Sequence, residues 1–174
     1  MTETGHVSEA PGEHLVAELK WIHDMIRRDL RFVHQLAQQV DEGAPVHDIG
    51  AAVRSLQTNG PLWQLKVNCL RYCHVVHLHH SLESSTLFPA LRRADPALSA
   101  TVDRLESDHR EVADLLTRIE TLADHLSEAG DSSATTRHDL VGALTDLRTH
   151  LLTHLDFEEE AIGPTLRGWH SWPF

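Results

Sequence analysis

Apolar residues recur every three to four positions through four long segments of the chain, and each apolar stripe contains one histidine. The segments span about residues 13–42, 61–93, 96–128 and 133–163, with proline or glycine near most of their ends. A repeat of this length places the apolar residues on one face of an α-helix. The chain is therefore predicted to be all-α, with four helices running up, down, up and down in an antiparallel bundle.

Four histidines, one from each stripe, are predicted to meet at one level of that bundle: His23, His79, His109 and His154. In an antiparallel arrangement each lies roughly 9 to 14 residues from the same end, or roughly 14–21 Å at about 1.5 Å per residue. Glu83 and Glu158 each follow a histidine by four residues, so each shares the helix face of that histidine. A glutamate within an apolar stripe is costly to bury unless it is paired or bound to metal.

Imidazole and carboxylate donors without a thiolate suit iron, manganese or zinc. Two carboxylates that bridge would fit two metal ions, each of which would also take about two imidazoles. One coordination position would then stay open for an outside ligand, as in a reactive rather than a closed structural site. The predicted metal ligands are His23, His79, Glu83, His109, His154 and Glu158.

On these residues the chain resembles the hemerythrin-like family, the HHE cation-binding domains, in its bacterial form. The resemblance covers about residues 13–166 and includes the Leu-Phe-Pro-Ala-Leu sequence that follows Glu83. It implies two iron ions, as Fe²⁺ or Fe³⁺, joined by an oxo or hydroxo bridge. It also implies a protein that binds or reacts with O₂, peroxide (H₂O₂) or nitric oxide (NO), as a scavenger in oxidative stress or as a sensor. A catalase- or peroxidase-like activity is left open.

Oxygen-carrying members of that family place a second histidine on the third helix, where this chain has Ala113. Reversible oxygen storage is therefore a weaker expectation, and three other residues are candidates for additional ligands. His80 lies at the edge of the metal face, Tyr72 lies on that face, and Glu159 has the spacing that the carriers use. On a regular helix Glu158 points inward and Glu159 about 100° further round, so Glu158 is the predicted ligand.

The remaining sequence predicts one domain, with a flexible N-terminus over 1–12, the bundle over 13–166 and an aromatic tail over 167–174. A break is expected at Gly163-Pro164, and Pro89 is expected to kink or close the second helix. Residues 46–58 are ambiguous, with a short extra helix as one reading. The tail is expected to pack over the bundle or, alternatively, to contact a second copy or a signalling partner.

Composition excludes several classes of partner. A net charge of −11 argues against binding to nucleic acid or to an anionic membrane surface. No apolar run approaches the roughly 20 residues that span a bilayer, and the first ten residues lack the apolar core of a signal peptide. Cys69 and Cys73 are one helical turn apart, where a disulfide would be strained, so reduced thiols in a cytoplasm are expected.

Two other functions remain as alternatives. A ferritin-like iron oxidase or storage protein would use paired Glu-x-x-His motifs, of which Glu106-x-x-His109 is the one good instance. A non-catalytic helical module would use the same histidines to hold one structural metal. Metal content separates this last alternative from a reactive iron centre.

Overall fold

The computed structural model describes residues 10–42, 61–125 and 134–173, so the segment 46–58 lies outside the described residues. Within them the chain is helical and contains no strand, which confirms the predicted all-α bundle. The elements in chain order are α1 (Glu13–Asp41), α2 (Pro61–Leu82), a π-helical segment (Glu83–Leu87), α3 (Phe88–Ala94), a 3₁₀ turn (Pro96–Leu98), α4 (Ser99–Asp124) and α5 (Ala134–Arg167).

The long helices pack in a square in which α1 contacts α2 and α5, and α4 contacts the same two neighbours. The antiparallel sense of α1 and α5 follows from ion pairs at their two ends. Arg167 contacts Glu13 at 3.0 Å at one end, and His138 contacts Asp41 at 3.6 Å at the other. None of the described helices is long and apolar enough to cross a membrane.

Two apolar clusters fill the bundle, and a polar layer lies between them. The larger cluster includes Ile26 and Val112, and the smaller includes Leu19 and Leu105. His23 lies between Leu19 and Ile26 along α1, and the corresponding position of α4, between Leu105 and Val112, is also a histidine. The histidines therefore share one level because the stripes that contain them pack in register above and below it.

Pro89 neither ends the second helix nor stands at a simple kink. A π-helical segment precedes it, and the backbone N–H of Phe88 donates to the carbonyl of Glu83, five residues back. Proline has no N–H to give to the carbonyl of Ser85, so the helix widens where a regular hydrogen bond would be missing. The helical path then continues through α3 to Ala94.

The break predicted at Gly163-Pro164 is wrong, because α5 continues through Pro164 to Arg167. Pro164 removes one backbone donor and its ring crowds the carbonyl four residues back, but Leu166 beyond it is fully buried in the smaller apolar cluster. The burial of Leu166 compensates for the lost hydrogen bond in the final turn.

The aromatic tail packs over the end of the bundle. Trp169 and Trp172 lie against the smaller apolar cluster, and the indole nitrogen of Trp172 donates to Glu18 at 2.7 Å. Gly12 passes so close to this end that an added Cβ would lie 1.9 Å from the carbonyl oxygen of Leu166. Only glycine fits that approach, which ties the start of α1 to the tail.

Candidate metal centre

Seven side chains converge in the polar layer, in two groups that could each hold a metal ion. One group consists of His80, His109 and His154, and the other of His23, His79, Glu83 and Glu158. Within each group, the ligand atoms all lie within 4.8 Å of one another. The structure thus brings together the six ligands predicted from the sequence and adds His80, which had been an alternative.

The two glutamates connect these groups. Glu83 places Oε1 3.2 Å from Nε2 of His79, while its Oε2 lies 3.6 Å from Nε2 of His109. Oε2 of Glu158 lies 3.5 Å from Nε2 of His23 and 3.7 Å from Nε2 of His154. Each carboxylate therefore faces one histidine of either group, which is the placement that a bridging ligand requires.

The chemistry of the donors fits a cation. All four carboxylate oxygens of Glu83 and Glu158 are buried without a hydrogen-bond partner, as are the Nε2 atoms of His23, His79 and His80. Unpartnered buried polar atoms are rare in folded proteins because each one costs free energy. Seven of the nine such side-chain atoms found among the described residues belong to these two glutamates and three histidines, so metal coordination would satisfy them together.

The outer nitrogens of two histidines are hydrogen-bonded by other side chains, and that of a third lies near a carboxylate without a hydrogen bond. Nδ1 of His23 lies 2.9 Å from Glu159, and Nδ1 of His109 lies 2.8 Å from the hydroxyl of Ser84. Nδ1 of His154 lies 3.5 Å from Asp108. Such contacts fix the ring orientation and leave Nε2 directed at the centre.

Glu159 is itself held in place by a guanidinium group. Arg27 contacts Glu159 at 2.8 Å and Asp156 at 2.6 Å, so an ion-pair network closes this side of the centre between α1 and α5. Glu159, which had been an alternative ligand, thus contacts the back of His23 and lies outside both donor groups. The hydrogen bonds from His23 and Arg27 hold the pKa of Glu159 below its usual value, although its partial burial acts in the opposite direction.

Burial dominates the ionisation of the centre. It lowers the pKa of His79 to about 3, of His109 to about 2 and of His154 to about 4. Burial also raises the pKa of Glu158 to about 8 and that of Glu83 well above its usual value. The imidazoles are therefore neutral at pH 7, which is the form that coordinates metal, whereas the buried carboxyls retain protons that a cation would displace.

Other residues singled out in the sequence lie elsewhere. Tyr72 is buried on α2 with an unpartnered hydroxyl, but it belongs to neither donor group. Glu106, the ferritin-like position, pairs with Arg92 at 3.0 Å. Ser84 was not predicted from the sequence. Its contact with His109 depends on the π-helical segment, which no sequence pattern indicated.

The fold and the site together define a class of protein: an antiparallel helical bundle with a buried cation centre of histidine and glutamate. The sequence model of the hemerythrin HHE cation-binding domain matches residues 14–166, most of the chain. The chain therefore belongs to the hemerythrin HHE cation-binding domain family, as its motifs indicated. The comparisons with curated proteins and with solved structures gave no match.

Proposed function

We propose that this chain holds two iron ions in the polar layer and binds or consumes O₂, H₂O₂ or NO there. The observation that carries the proposal is the convergence of five imidazoles and two spanning carboxylates whose inner atoms mostly lack any other partner. Iron would give and accept electrons as it cycles between Fe²⁺ and Fe³⁺. An open coordination position on the metal would bind the outside ligand.

The residues of this chain divide that task. His80, His109 and His154 would hold one ion, His23 and His79 the other, and the two glutamates would span both. The pair of histidines offers one imidazole fewer, so we place the open position for the outside ligand on their side. His79, with 9% of its side chain exposed, is the most accessible of the five histidines.

The surrounding residues hold the centre dry and oriented. Phe88 lies with its ring centroid 5.0 Å from that of His109, and the apolar clusters close the layer from both ends. Exclusion of water strengthens the electrostatic interactions within such a site. Cys69 and Cys73 are buried free thiols, which supports our assignment of the protein to a reducing, cytoplasmic compartment.

The ferritin-like alternative loses support because its one Glu-x-x-His pair is not used as a pair. Glu106 is bound to Arg92 at the surface of the bundle, while His109 faces the centre. A ferritin-like site would need both residues of the motif to project inward.

Anaerobic loading with ferrous iron, followed by metal analysis and optical spectroscopy, tests the proposal. We expect about two irons per chain, and near-ultraviolet absorption that changes when O₂, H₂O₂ or NO is added separately. Release of O₂ from H₂O₂ over many turnovers would identify a catalase-like activity. One tightly held zinc, or iron that none of the three ligands perturbs, would instead indicate a structural metal.

Glu83→Gln and Glu106→Gln form a matched pair for this experiment. Both remove one carboxylate, but only Glu83 faces the centre. We expect the first variant to lose most of its iron and the second to keep it. Equal iron content in the two variants would contradict the site.

A further inference from the structure

The large hydrophobic side chains that are exposed among the described residues all lie on α1 and α2. They are Trp21 with 68% of its surface exposed, Leu78 with 58%, Phe32 with 51% and Leu82 with 46%. Single exposed apolar residues are ordinary, but a contiguous group of them marks an interaction surface. The positions of these four residues along their helices decide whether they form one surface.

Helical spacing places them in two adjacent rows. On α1 the row is Trp21, Met25, Arg28 and Phe32, and on α2 it is Arg71, Val75, Leu78 and Leu82. Each row has the spacing i, i+4, i+7 and i+11, so its members share one helix face. Met25, Arg28, Phe32, Arg71 and Val75 line a common cleft between the two helices, which places both rows along the same seam.

The surface formed by these two rows, which we call the α1/α2 seam, has a different shape at its two ends. His23 and His79 are ring neighbours, 5.1 Å apart, so helix rise places Trp21 level with Leu82. These two exposed side chains make a ridge at one end. At the other end, Phe32, Arg71 and Val75 border the cleft, which has a volume of about 380 Å³.

We propose that the α1/α2 seam is the interface of a two-fold symmetric dimer, in which Trp21 of each copy docks in the cleft of the other. A two-fold axis through the middle of the seam, near Met25 and Leu78, exchanges the ridge end with the cleft end. Each docking contact is then made twice, as an isologous interface requires. Tryptophan is among the residues most often found as an energetic anchor, with its ring filling a pocket of the partner.

The chemistry of the cleft suits an indole ring. Arg28 and Arg71 lie on its border, and tryptophan is the best ring partner for a cation such as a guanidinium group. Asp29, also in the cleft, offers a carboxylate to the indole N–H, which needs an acceptor when it is buried. Val33 and Val75 supply apolar wall for the rest of the ring.

Charge also favours a second copy at this surface. The chain carries 26 acidic and 15 basic residues, so most approaches between two copies are repulsive. The α1/α2 seam instead presents two arginines among its apolar residues, with Asp29 paired to Arg28 at 3.2 Å. Two copies can meet here without opposing their acidic surfaces.

The dimensions of the seam indicate a weak dimer. Eleven residues of helix span about 17 Å, and two helices packed about 9 Å apart make a face roughly 20 Å wide. Such a face covers roughly 340 Å² per copy, or about 680 Å² for the pair, which is below the size of stable specific interfaces and indicates a transient contact. We therefore expect a dissociation constant on the order of 100 µM, so that the monomer predominates at low micromolar concentration and the dimer near 1 mM.

Sedimentation velocity on the full chain, from about 1 µM to about 1 mM, tests the proposal. We expect concentration-dependent dimerisation that Trp21→Ala weakens at least tenfold. Arg118→Ala is a matched control, since Arg118 has 54% of its side chain exposed on α4, diagonally across the bundle from α1. Iron content measured on the same samples should not change, which separates this interface from the proposed function.

A mixing experiment identifies the docking contact itself. Val75→Glu places a carboxylate in the cleft and blocks it, whereas Trp21→Ala removes the side chain that enters it. Each variant alone should be monomeric in the micromolar range. In a mixture, the intact Trp21 of one variant can enter the intact cleft of the other, so heterodimers should form.

Three results would overturn the proposal. One is a wild-type chain that stays monomeric throughout the range, and another is a Trp21→Ala dimer of unchanged affinity. The third is a monomer whose Trp21 is required for binding to phosphatidylcholine vesicles, which would reassign the seam to a membrane surface. Absence of heterodimers in the mixture would be a fourth such result, because it would exclude the Trp21 contact even if the wild-type chain dimerises.

Discussion

Replacing Glu158 with glutamine should stabilise the metal-free protein while it removes iron binding. Glu158 is fully buried, and burial raises its pKa from 4.5 to about 8. At about pH 7.5 this carboxyl is ionised in the unfolded chain but remains mostly protonated in the folded protein. Because pH 7.5 lies three units above the unfolded-state pKa of 4.5, at about 1.4 kcal/mol per unit, the cost is on the order of 4 kcal/mol.

Glutamine has the same shape and no charge, so Glu158→Gln should recover much of that cost at pH 7.5. Because the folded-state pKa is raised, the cost is absent below pH 4.5 and grows as pH rises toward 8. The stabilisation should therefore disappear near pH 4.5. Urea unfolding of chelator-treated wild type and variant at both values of pH, together with iron stoichiometry, measures each part of the prediction.

The adjacent glutamate is the matched control, with the opposite sign. The pKa of Glu159 is lowered by its hydrogen bonds to His23 and Arg27, so its ionised form contributes stability near neutral pH. Glu159→Gln should destabilise the metal-free protein at pH 7.5, and this effect should fade as pH falls through the lowered pKa. Our electrostatic reasoning fails if Glu158→Gln is the more destabilising change at pH 7.5.

Three further predictions concern the same centre. The metal-free protein should have its highest melting temperature near pH 6.5. Below that value the lowered pKa values of several histidines cost more stability per pH unit than the two glutamates, and above it only the glutamate cost, which begins near pH 4.5, continues to grow; a melting temperature that climbs steadily to pH 8 would contradict this. His80→Ala should lower iron stoichiometry, whereas His74→Ala, at an exposed position of α2, should not. Ser84→Ala should weaken iron affinity roughly tenfold by freeing Nδ1 of His109, and Ser85→Ala, measured in the same competition with a chelator, should leave it unchanged.

The fold and the level of the centre could be predicted from the sequence because both depend on helical periodicity. Each histidine lies on the apolar face of its helix, so the packing that buries Leu19 and Ile26 necessarily buries His23 between them. The same argument selected Glu158 over Glu159 as the inward residue. Periodicity predicts the helix face on which a side chain lies and its level along the bundle axis. These two quantities are enough to predict which side chains meet as candidate metal ligands.

Periodicity does not give contacts that depend on local departures from a regular helix. The hydroxyl of Ser84 reaches His109 within a π-helical segment, whose first residue is Glu83 itself. Asp108 directly precedes His109 in the sequence, but its carboxylate lies 3.5 Å from Nδ1 of His154 on the next helix. His80 was placed at the edge of the metal face, although its ring stacks on that of His109 with centroids 3.9 Å apart.

Glu158 and Glu159 show how two identical side chains serve opposite electrostatic roles. They are about 100° apart on α5, so Glu158 points into the buried layer of imidazoles and Glu159 points toward Arg27. Burial without a cation makes ionisation of the first unfavourable, whereas Arg27 makes ionisation of the second favourable. An ionised Glu158 is therefore unfavourable in the buried layer until a metal ion binds, whereas the ion pair between Glu159 and Arg27 forms without metal. The ring of His23 lies between these two carboxylates, with Nε2 facing Glu158 and Nδ1 facing Glu159. The ion pair of Glu159 with Arg27 therefore orients His23, one of the donors that the metal site requires.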